Sequence, residues 1–141
     1  MDRFGTIMER WGTVLNSDEE LAERNKSIYS SLEGRTAINL EVEGQNAYRV
    51  DVSGGKFVVQ QGSSEGPLLT WKLPLALLKD VMLGKQRLIY GLLDPRGTLA
   101  FDTPNFTHWN GATIIEMLFL ASEMGKTESN ISKLVEGLGG H

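Results

Sequence analysis

Few side chains in this chain of 141 residues have a type and spacing that could do chemistry. His108 is the one histidine away from the terminus, and no carboxylate follows four residues later on the same helix to complete a metal site. Ser63 and Ser64 lie in a glycine-rich loop that lacks the lysine and the following helix of a phosphate cradle. The chain has no cysteine, which excludes disulfides, metal thiolates and thiol nucleophiles. We therefore expect a protein that is not an enzyme and that holds no metal and no cofactor.

Three charged residues could instead contact the polar head of an apolar ligand. Glu116 is the one charged residue in the apolar segment 112–121. On a helical wheel it lies close to Glu123, which favours a narrow polar stripe facing water; the alternative is a partly buried carboxyl that orients a ligand. Arg96 and Lys85 could bind a carboxylate or a phosphate, although residues in turns and at helix ends are usually solvated.

The bulk composition argues against two classes of partner. A net charge of −4 and an isoelectric point near 5.2 argue against nucleic acid, because nucleic-acid-binding domains usually carry a basic patch. No run approaches the roughly 18 to 20 apolar residues that a membrane-spanning helix needs. The N-terminus lacks the basic and then apolar pattern of a signal peptide. We therefore expect a cytoplasmic protein that binds no nucleic acid and has no integral membrane segment.

The elements that must position any site begin with two helices. Phe4, Met8 and Trp11 fall on one face of a predicted first helix. A polar, weakly amphipathic second helix is predicted for residues 18–32, and Gly34 is suited to end it.

Alternation with a period of two then predicts a sheet. The segments 38–42, 48–52 and 57–59 read as strands, and glycine turns join them into an antiparallel meander with one buried and one wet face. A fourth strand is predicted at 69–73 and a fifth at 98–102. Between these two, apolar residues at helical spacing predict two short helices.

The segment 112–121 is predicted to be a helix that is apolar almost all the way round and that Gly125 ends. A surface helix needs only one apolar stripe, because its other face normally contacts water. This helix therefore needs apolar neighbours on more than one side. If the sheet is one neighbour, the second is either a bound apolar molecule or a partner protein.

Three short segments are similar, in amino-acid sequence and in their order along the chain, to segments of one domain family. Residues 50–57 read Val-Asp-Val-Ser-Gly-Gly-Lys-Phe, residues 69–73 read Leu-Thr-Trp-Lys-Leu, and residues 82–85 read Met-Leu-Gly-Lys. With the predicted elements around them, residues 38–121 resemble the sterol carrier protein-2 (SCP2) lipid-binding domain. The resemblance implies an α+β fold: a five-stranded, largely antiparallel sheet with helices packed on one face, enclosing an apolar tunnel.

The resemblance also implies boundaries and a ligand class. Residues 1–33 are then an N-terminal helical extension packed on the domain, residues 34–125 the lipid-binding domain, and residues 126–141 a C-terminal amphipathic helix with a flexible tail. The implied ligand is a sterol, a fatty acid or a fatty acyl-CoA. Phe-Asp-Thr-Pro at 101–104 departs from the Gly-Asp usual in the family beside the tunnel mouth, so the ligand could differ.

The residues expected to line the tunnel are apolar and lie on the sheet and on the helices. They are Trp71, Leu77, Leu78, Met82, Leu88, Ile89, Leu92, Phe101, Trp109, Ile115, Leu118 and Phe119.

Two functions remain open from the sequence. The first is a non-catalytic binding or carrier protein that holds an apolar molecule in the tunnel. The alternative is an accessory subunit that uses the same fold for protein–protein association and has a vestigial tunnel. In that case the face of Phe4, Met8 and Trp11 would dock a partner protein or a second copy in a homodimer, because an extra amphipathic helix needs a place to bury.

Overall fold

The computed structural model describes residues 2–24, 26–102, 104, 106 and 108–139, without the side chains of residues 28, 29, 108 and 109. In this part of the chain the predicted α+β architecture is confirmed, with seven helices and five strands. In chain order they are α1 Arg3–Ser17, α2 Glu19–Arg24, α3 Lys26–Leu32, β1 Thr36–Val42, β2 Tyr48–Ser53, β3 Lys56–Gln61, β4 Leu69–Leu73, α4 Leu75–Met82, α5 Leu88–Leu93, β5 Thr98–Phe101, α6 His108–Thr127 and α7 Ser129–Glu136.

The strands form one mixed sheet in the order β3-β2-β1-β4-β5. The pairs β1–β2 and β2–β3 are antiparallel, which confirms the predicted meander, and β4–β5 is antiparallel too. The central pair, β1 and β4, is parallel, and Leu40 of β1 is in register with Trp71 of β4. Residues in register on neighbouring strands share a face of the sheet. Leu40 and Trp71 therefore lie side by side at the centre of one face.

Helices cover the face of the sheet that carries Leu40 and Trp71, and a loop crosses the other face. Asn39 alternates with its neighbours along β1 and so faces away from the helices. Its side-chain amide donates to the Ser64 carbonyl at 2.7 Å, and its side-chain oxygen accepts from the Ser64 N–H at 3.2 Å. These two bonds hold the connection between β3 and β4 against the back of the sheet.

Polar side-chain contacts hold helix α1 against β3 and against the start of α7. The Asn16 side chain donates to the Phe57 carbonyl of β3 at 2.7 Å and accepts from the Phe57 N–H at 3.0 Å. The Arg10 guanidinium forms an ion pair with Glu128 at 3.0 Å, beside the start of α7. The division at 1–33, 34–125 and 126–141 stays a prediction, but buried residues of all three ranges form one hydrophobic cluster.

Helix α6 continues past its predicted end. Gly125 was expected to stop the helix, yet α6 extends to Thr127. A Cβ at position 125 would lie 2.6 Å from the Met82 carbonyl oxygen of α4, which is closer than real Cβ atoms come. The prediction is wrong because this glycine permits the close approach of two helices and does not end one.

Candidate ligand-binding site

A small apolar cavity lies between the sheet and the helices. Its volume is about 30 Å³, which is room for about one water molecule. Apolar side chains of α1, β1, β4, α4, α5 and α6 make up most of its wall. The lining residues are Phe4, Ile7, Met8, Trp11, Leu40, Trp71, Leu78, Val81, Met82, Leu88, Leu118, Ala121, Ser122 and Met124. The structure does not show the predicted tunnel in the described residues, because side chains fill nearly all of the space.

Helix α1 supplies much of the filling. Phe4, Ile7, Met8 and Trp11 are spaced three or four residues apart, so they share the one face of α1 that lines the cavity. Phe4 and Trp11 are each 1% exposed. The face that was predicted to dock a partner or a second copy is thus inside the chain's own core. The helical spacing of apolar residues predicted this face of α1, but it did not indicate which surface covers the face.

Two tryptophans of the cavity wall differ in their hydrogen bonding. The Trp11 indole N–H donates to the Met117 carbonyl of α6 at 2.9 Å, which ties α1 to α6. Trp71 is buried, and its indole N–H has no hydrogen-bond partner in the part of the chain that the structure describes.

The helix side of the cavity is rich in adaptable side chains. Met8, Met82 and Met124 come from three different helices and all reach the wall. Methionine is unbranched and fills irregular gaps in several rotamers. We conclude that the packing around the cavity can change shape more readily than a core of branched side chains.

An exposed apolar surface lies next to the cavity, and we call it the apolar rim. It consists of Ile89, Tyr90 and Leu93 on α5, Phe101 on β5, and Ile115 and Phe119 on α6, with exposures from 46% to 71%. The three elements are neighbours, since α5 contacts both α6 and β5. Leu88 of α5 and Leu118 of α6 line the cavity itself, so the rim and the cavity share two helices.

Phe101 belongs to the helix side of the sheet. It is in register with Leu69, which is buried beneath the helices, and residues in register share a face. Its ring packs edge-on against Phe106 with centroids 4.7 Å apart. The helices cover this end of the face incompletely, since Phe101 on the edge strand β5 is 46% exposed.

The residues predicted to line a tunnel divide into three groups in the structure. Five line the cavity: Trp71, Leu78, Met82, Leu88 and Leu118. Two are buried in the surrounding core, Leu77 and Leu92, and four belong to the apolar rim, Ile89, Phe101, Ile115 and Phe119. Trp109 is in α6, but its side chain lies outside the described residues. Whether any of these residues contacts a ligand stays a prediction.

The cavity-lining residues that were not predicted as ligand contacts come mainly from α1 and from the C-terminal half of α6. Phe4, Ile7, Met8 and Trp11 carried a clear signal, since their spacing marks an apolar helix face. Met124 had no such sequence signal, because it lies beyond the segment 112–121 that was identified as apolar.

A polar cluster closes the base of α5. The Gln86 amide donates to Asp94 Oδ2 at 3.2 Å, so the residues before and after α5 are bonded to each other. The Arg96 guanidinium donates to both Asp94 oxygens at 3.0 Å. These bonds, with Arg96 the main cause, hold the pKa of the Asp94 carboxyl well below its ordinary value of 3.8. Arg96, a candidate for binding a ligand head group, is therefore already paired.

The other charged candidates do not line the cavity. Glu116 forms an ion pair with Arg24 at 3.3 Å, and its side chain is 33% exposed. Lys85 is exposed in the connection between α4 and α5. In the described residues there is no group of three or more histidine, cysteine or acidic side chains that could hold a metal ion. None of the described helices is both long enough and apolar enough to span a membrane.

Comparison with known proteins shows which fold this is. No family model and no curated protein matches the sequence. Among solved structures, the sterol carrier protein domain 2 of Helicoverpa armigera is similar at 15% identity, with 91% of this chain and 93% of that chain covered and a TM-score of 0.60. A crystal structure of sterol carrier protein 2 has 15% identity, coverage of 84% and 95%, and a TM-score of 0.58. A UbiJ-SCP2 ubiquinone synthesis protein has 14% identity, coverage of 84% and 90%, and a TM-score of 0.51. The chain has the SCP2-like fold, as the resemblance implied.

Proposed function

We propose that this protein binds an apolar molecule without catalysing a reaction, and that the molecule occupies an enlarged form of the internal cavity. The apolar rim carries this proposal. In the described part of the chain, all six large apolar side chains that are highly exposed lie on α5, β5 and α6. Scattered exposed apolar residues are ordinary, but a concentrated patch beside an apolar cavity indicates a binding surface.

The candidate ligands are sterols, fatty acids and fatty acyl-CoA esters. The names of the similar structures, which include sterol carrier proteins, support this choice. The lining of the cavity supports it as well, since apolar side chains dominate and the described lining includes no charged one. Burial of an apolar chain in such a lining contributes about 25 cal/mol per Å². A cytoplasmic location stays a prediction from the sequence.

The cavity must grow for this function. Binding sites for small molecules usually have volumes of about 300–1,000 Å³, whereas the cavity here measures about 30 Å³. The increase is therefore at least about tenfold. Movement of Met8, Met82 and Met124 supplies part of it, because these side chains can adopt other rotamers without loss of apolar contact.

Movement of α5 supplies the rest of the added volume and opens a route from the apolar rim into the cavity. This helix has six residues, and of these only Gly91 and Leu92 are buried. Gly91 sits directly on α4, where a Cβ would lie 2.5 Å from Val81 Cγ2. Because residues of α5 belong both to the cavity wall and to the apolar rim, displacement of this helix connects the cavity to the rim. We propose that a ligand enters between α5, β5 and α6.

The accessory-subunit alternative keeps one observation in its favour. The cavity is nearly full, and four side chains of α1 help to fill it. A protein with a vestigial tunnel would have such a packed interior, and its exposed apolar rim would then contact a partner protein. The role of the α1 face in such docking is not part of this alternative, since that face is buried.

Binding of a fluorescent fatty acid separates the two functions. We expect saturable binding by the natural sequence, and binding at least about tenfold weaker in Ala121→Leu, because the added side chain occupies the cavity that Ala121 lines. Ala76→Leu is the matched control: it is the same substitution at an exposed helical position, and it leaves binding unchanged. If the fluorescent fatty acid does not bind, and native mass spectrometry of the purified protein finds no apolar ligand, the carrier proposal is wrong and the accessory role is favoured.

A further inference from the structure

The indole N–H of Trp71 is a buried hydrogen-bond donor without an acceptor. Trp71 is 2% exposed, and its Nε1 makes no hydrogen bond to any described residue. The Trp11 indole of the same cavity is bonded to the Met117 carbonyl. In native structures the great majority of buried polar groups have a partner, since leaving one unpaired destabilises the fold. An acceptor atom of a bound ligand would remove this defect.

The donor is enclosed, with a glycine beside it: a Cβ at Gly97 would lie 3.0 Å from the Lys72 carbonyl oxygen, so a ligand oxygen reaches the donor only when the chain around Gly97 shifts. A Cβ at Gly97 would lie 3.5 Å from Trp71 Nε1, so the place of a side chain at this position is directly beside the N–H. Gly97 ends the turn that follows α5, where its N–H donates to the Asp94 carbonyl at 3.1 Å. The unpaired donor therefore lies next to the turn that follows α5, the helix that we propose moves when a ligand enters.

The chemistry around the donor favours an acceptor without charge. Among the described residues that line the cavity, none is charged. The arginine nearest in sequence to Gly97, Arg96, already binds both oxygens of Asp94. A carboxylate buried without a cation has a large desolvation cost, whereas a carbonyl or hydroxyl oxygen needs only one donor to offset its burial.

We infer that the ligand is a neutral apolar molecule with a ketone, ester or hydroxyl oxygen, and that this oxygen accepts a hydrogen bond from the Trp71 indole N–H. The inference rests on the proposed function and narrows its ligand class. The apolar part of the molecule lies in the enlarged cavity along the indole ring, and the oxygen lies beside Gly97. Arg96, the cation next to Gly97 in the chain, is already paired with Asp94 and so is not free to offset the charge of an ionised fatty acid.

Three ligands with one chain length test the inference: a long-chain methyl ketone, the corresponding n-alkane and the corresponding ionised fatty acid. Each competes with an apolar fluorophore bound to the protein of 141 residues. We expect the ketone to bind about tenfold more tightly than the alkane, which equals about 1.4 kcal/mol, and more tightly than the fatty acid. Trp71→Phe lowers the affinity for the ketone to that for the alkane, and it leaves the affinity for the alkane within about twofold because a large aromatic ring is kept.

Two controls keep the test independent of folding defects. Ala76→Leu changes an exposed position of α4 outside the cavity lining, and we expect the ratio of ketone to alkane affinity to stay the same. The natural sequence gives a direct signal by NMR. The Trp71 indole N–H resonance moves downfield when the ketone is added and does not when the alkane is added, because only the ketone accepts its proton.

The outcomes separate this inference from the proposed function. If none of the three ligands binds, the proposed function is wrong. If ligands bind but the fatty acid binds most tightly, or the ketone and the alkane bind equally, the inference is wrong and the proposed function stands. A ketone preference that persists in folded Trp71→Phe, or a Trp71 N–H resonance that the ketone does not move, contradicts the inference in the same way.

Discussion

Replacing Trp11 with glutamate tests whether α1 belongs to the core or offers a docking surface. Trp11 is 1% exposed, lines the cavity and bonds to the Met117 carbonyl at 2.9 Å. Loss of a buried tryptophan side chain costs about 3–5 kcal/mol. A carboxylate buried without a cation adds several kcal/mol to this cost. Because the free energy of unfolding of a single domain is about 5–15 kcal/mol, we expect Trp11→Glu to remove most or all of it.

Urea denaturation followed by circular dichroism measures this loss, and gel filtration reports the oligomeric state. Thr13→Glu is the matched control, since Thr13 is exposed on the same helix, and we expect it to change the free energy of unfolding by less than about 0.5 kcal/mol. Trp11→Phe keeps an aromatic ring but loses the bond to Met117, so an intermediate loss of about 1–2 kcal/mol is expected. A Trp11→Glu protein that is as stable as the natural sequence, and that changes only in oligomeric state, would refute the placement of α1 in the core.

Two further predictions concern the rim and the base of α5. We expect Phe101→Arg to weaken the equilibrium binding of a fluorescent fatty acid more than Arg96→Ala does. The reason is that Phe101 is part of the apolar rim, whereas Arg96 pairs with Asp94. If both substitutions have equal and negligible effects on binding, the pocket lies elsewhere. The pKa of Asp94 is lowered from 3.8 in the folded protein, so its stabilising contribution is complete above that pH and is lost as the pH falls towards the folded value. The difference in free energy of unfolding between the natural sequence and Asp94→Asn, measured in urea, should be constant near neutral pH and shrink below pH 3.8; a difference that persists in acid would contradict this.

The sheet could be predicted from the sequence because one of its faces is covered and the other is largely wet. The inward residues of β2, Tyr48, Val50 and Val52, are all buried, while Arg49 and Asp51 between them are only partly buried. This difference in environment produces the period of two that the sequence shows. The helices α4 and α5 could also be predicted, because apolar residues at helical spacing lie between two predicted strands.

The filling of the cavity by α1 could not be predicted, because periodicity identifies an apolar face without identifying what covers it. Phe4 and Trp11 gave the same signal whether α1 docks on a partner or fills its own domain. The role of Gly125 was hidden for a related reason. A glycine near the end of a helical pattern usually indicates a C-cap, and only the contact with Met82 shows that this one serves packing between helices.

Helix α6 keeps the property that made the segment 112–121 unusual in the sequence. Ile114, Met117 and Leu118 are buried, but Ile115 and Phe119 are about half exposed, so one apolar side of the helix is covered and another is not. No described part of the chain covers that second side. A molecule that entered between α5 and α6 would contact Leu118 in the cavity and the rim residues at once, which would give both sides of α6 an apolar neighbour. A partner protein bound to the rim would cover only the outer side and would leave the Trp71 N–H unpaired, so the unpaired donor favours a ligand over a partner.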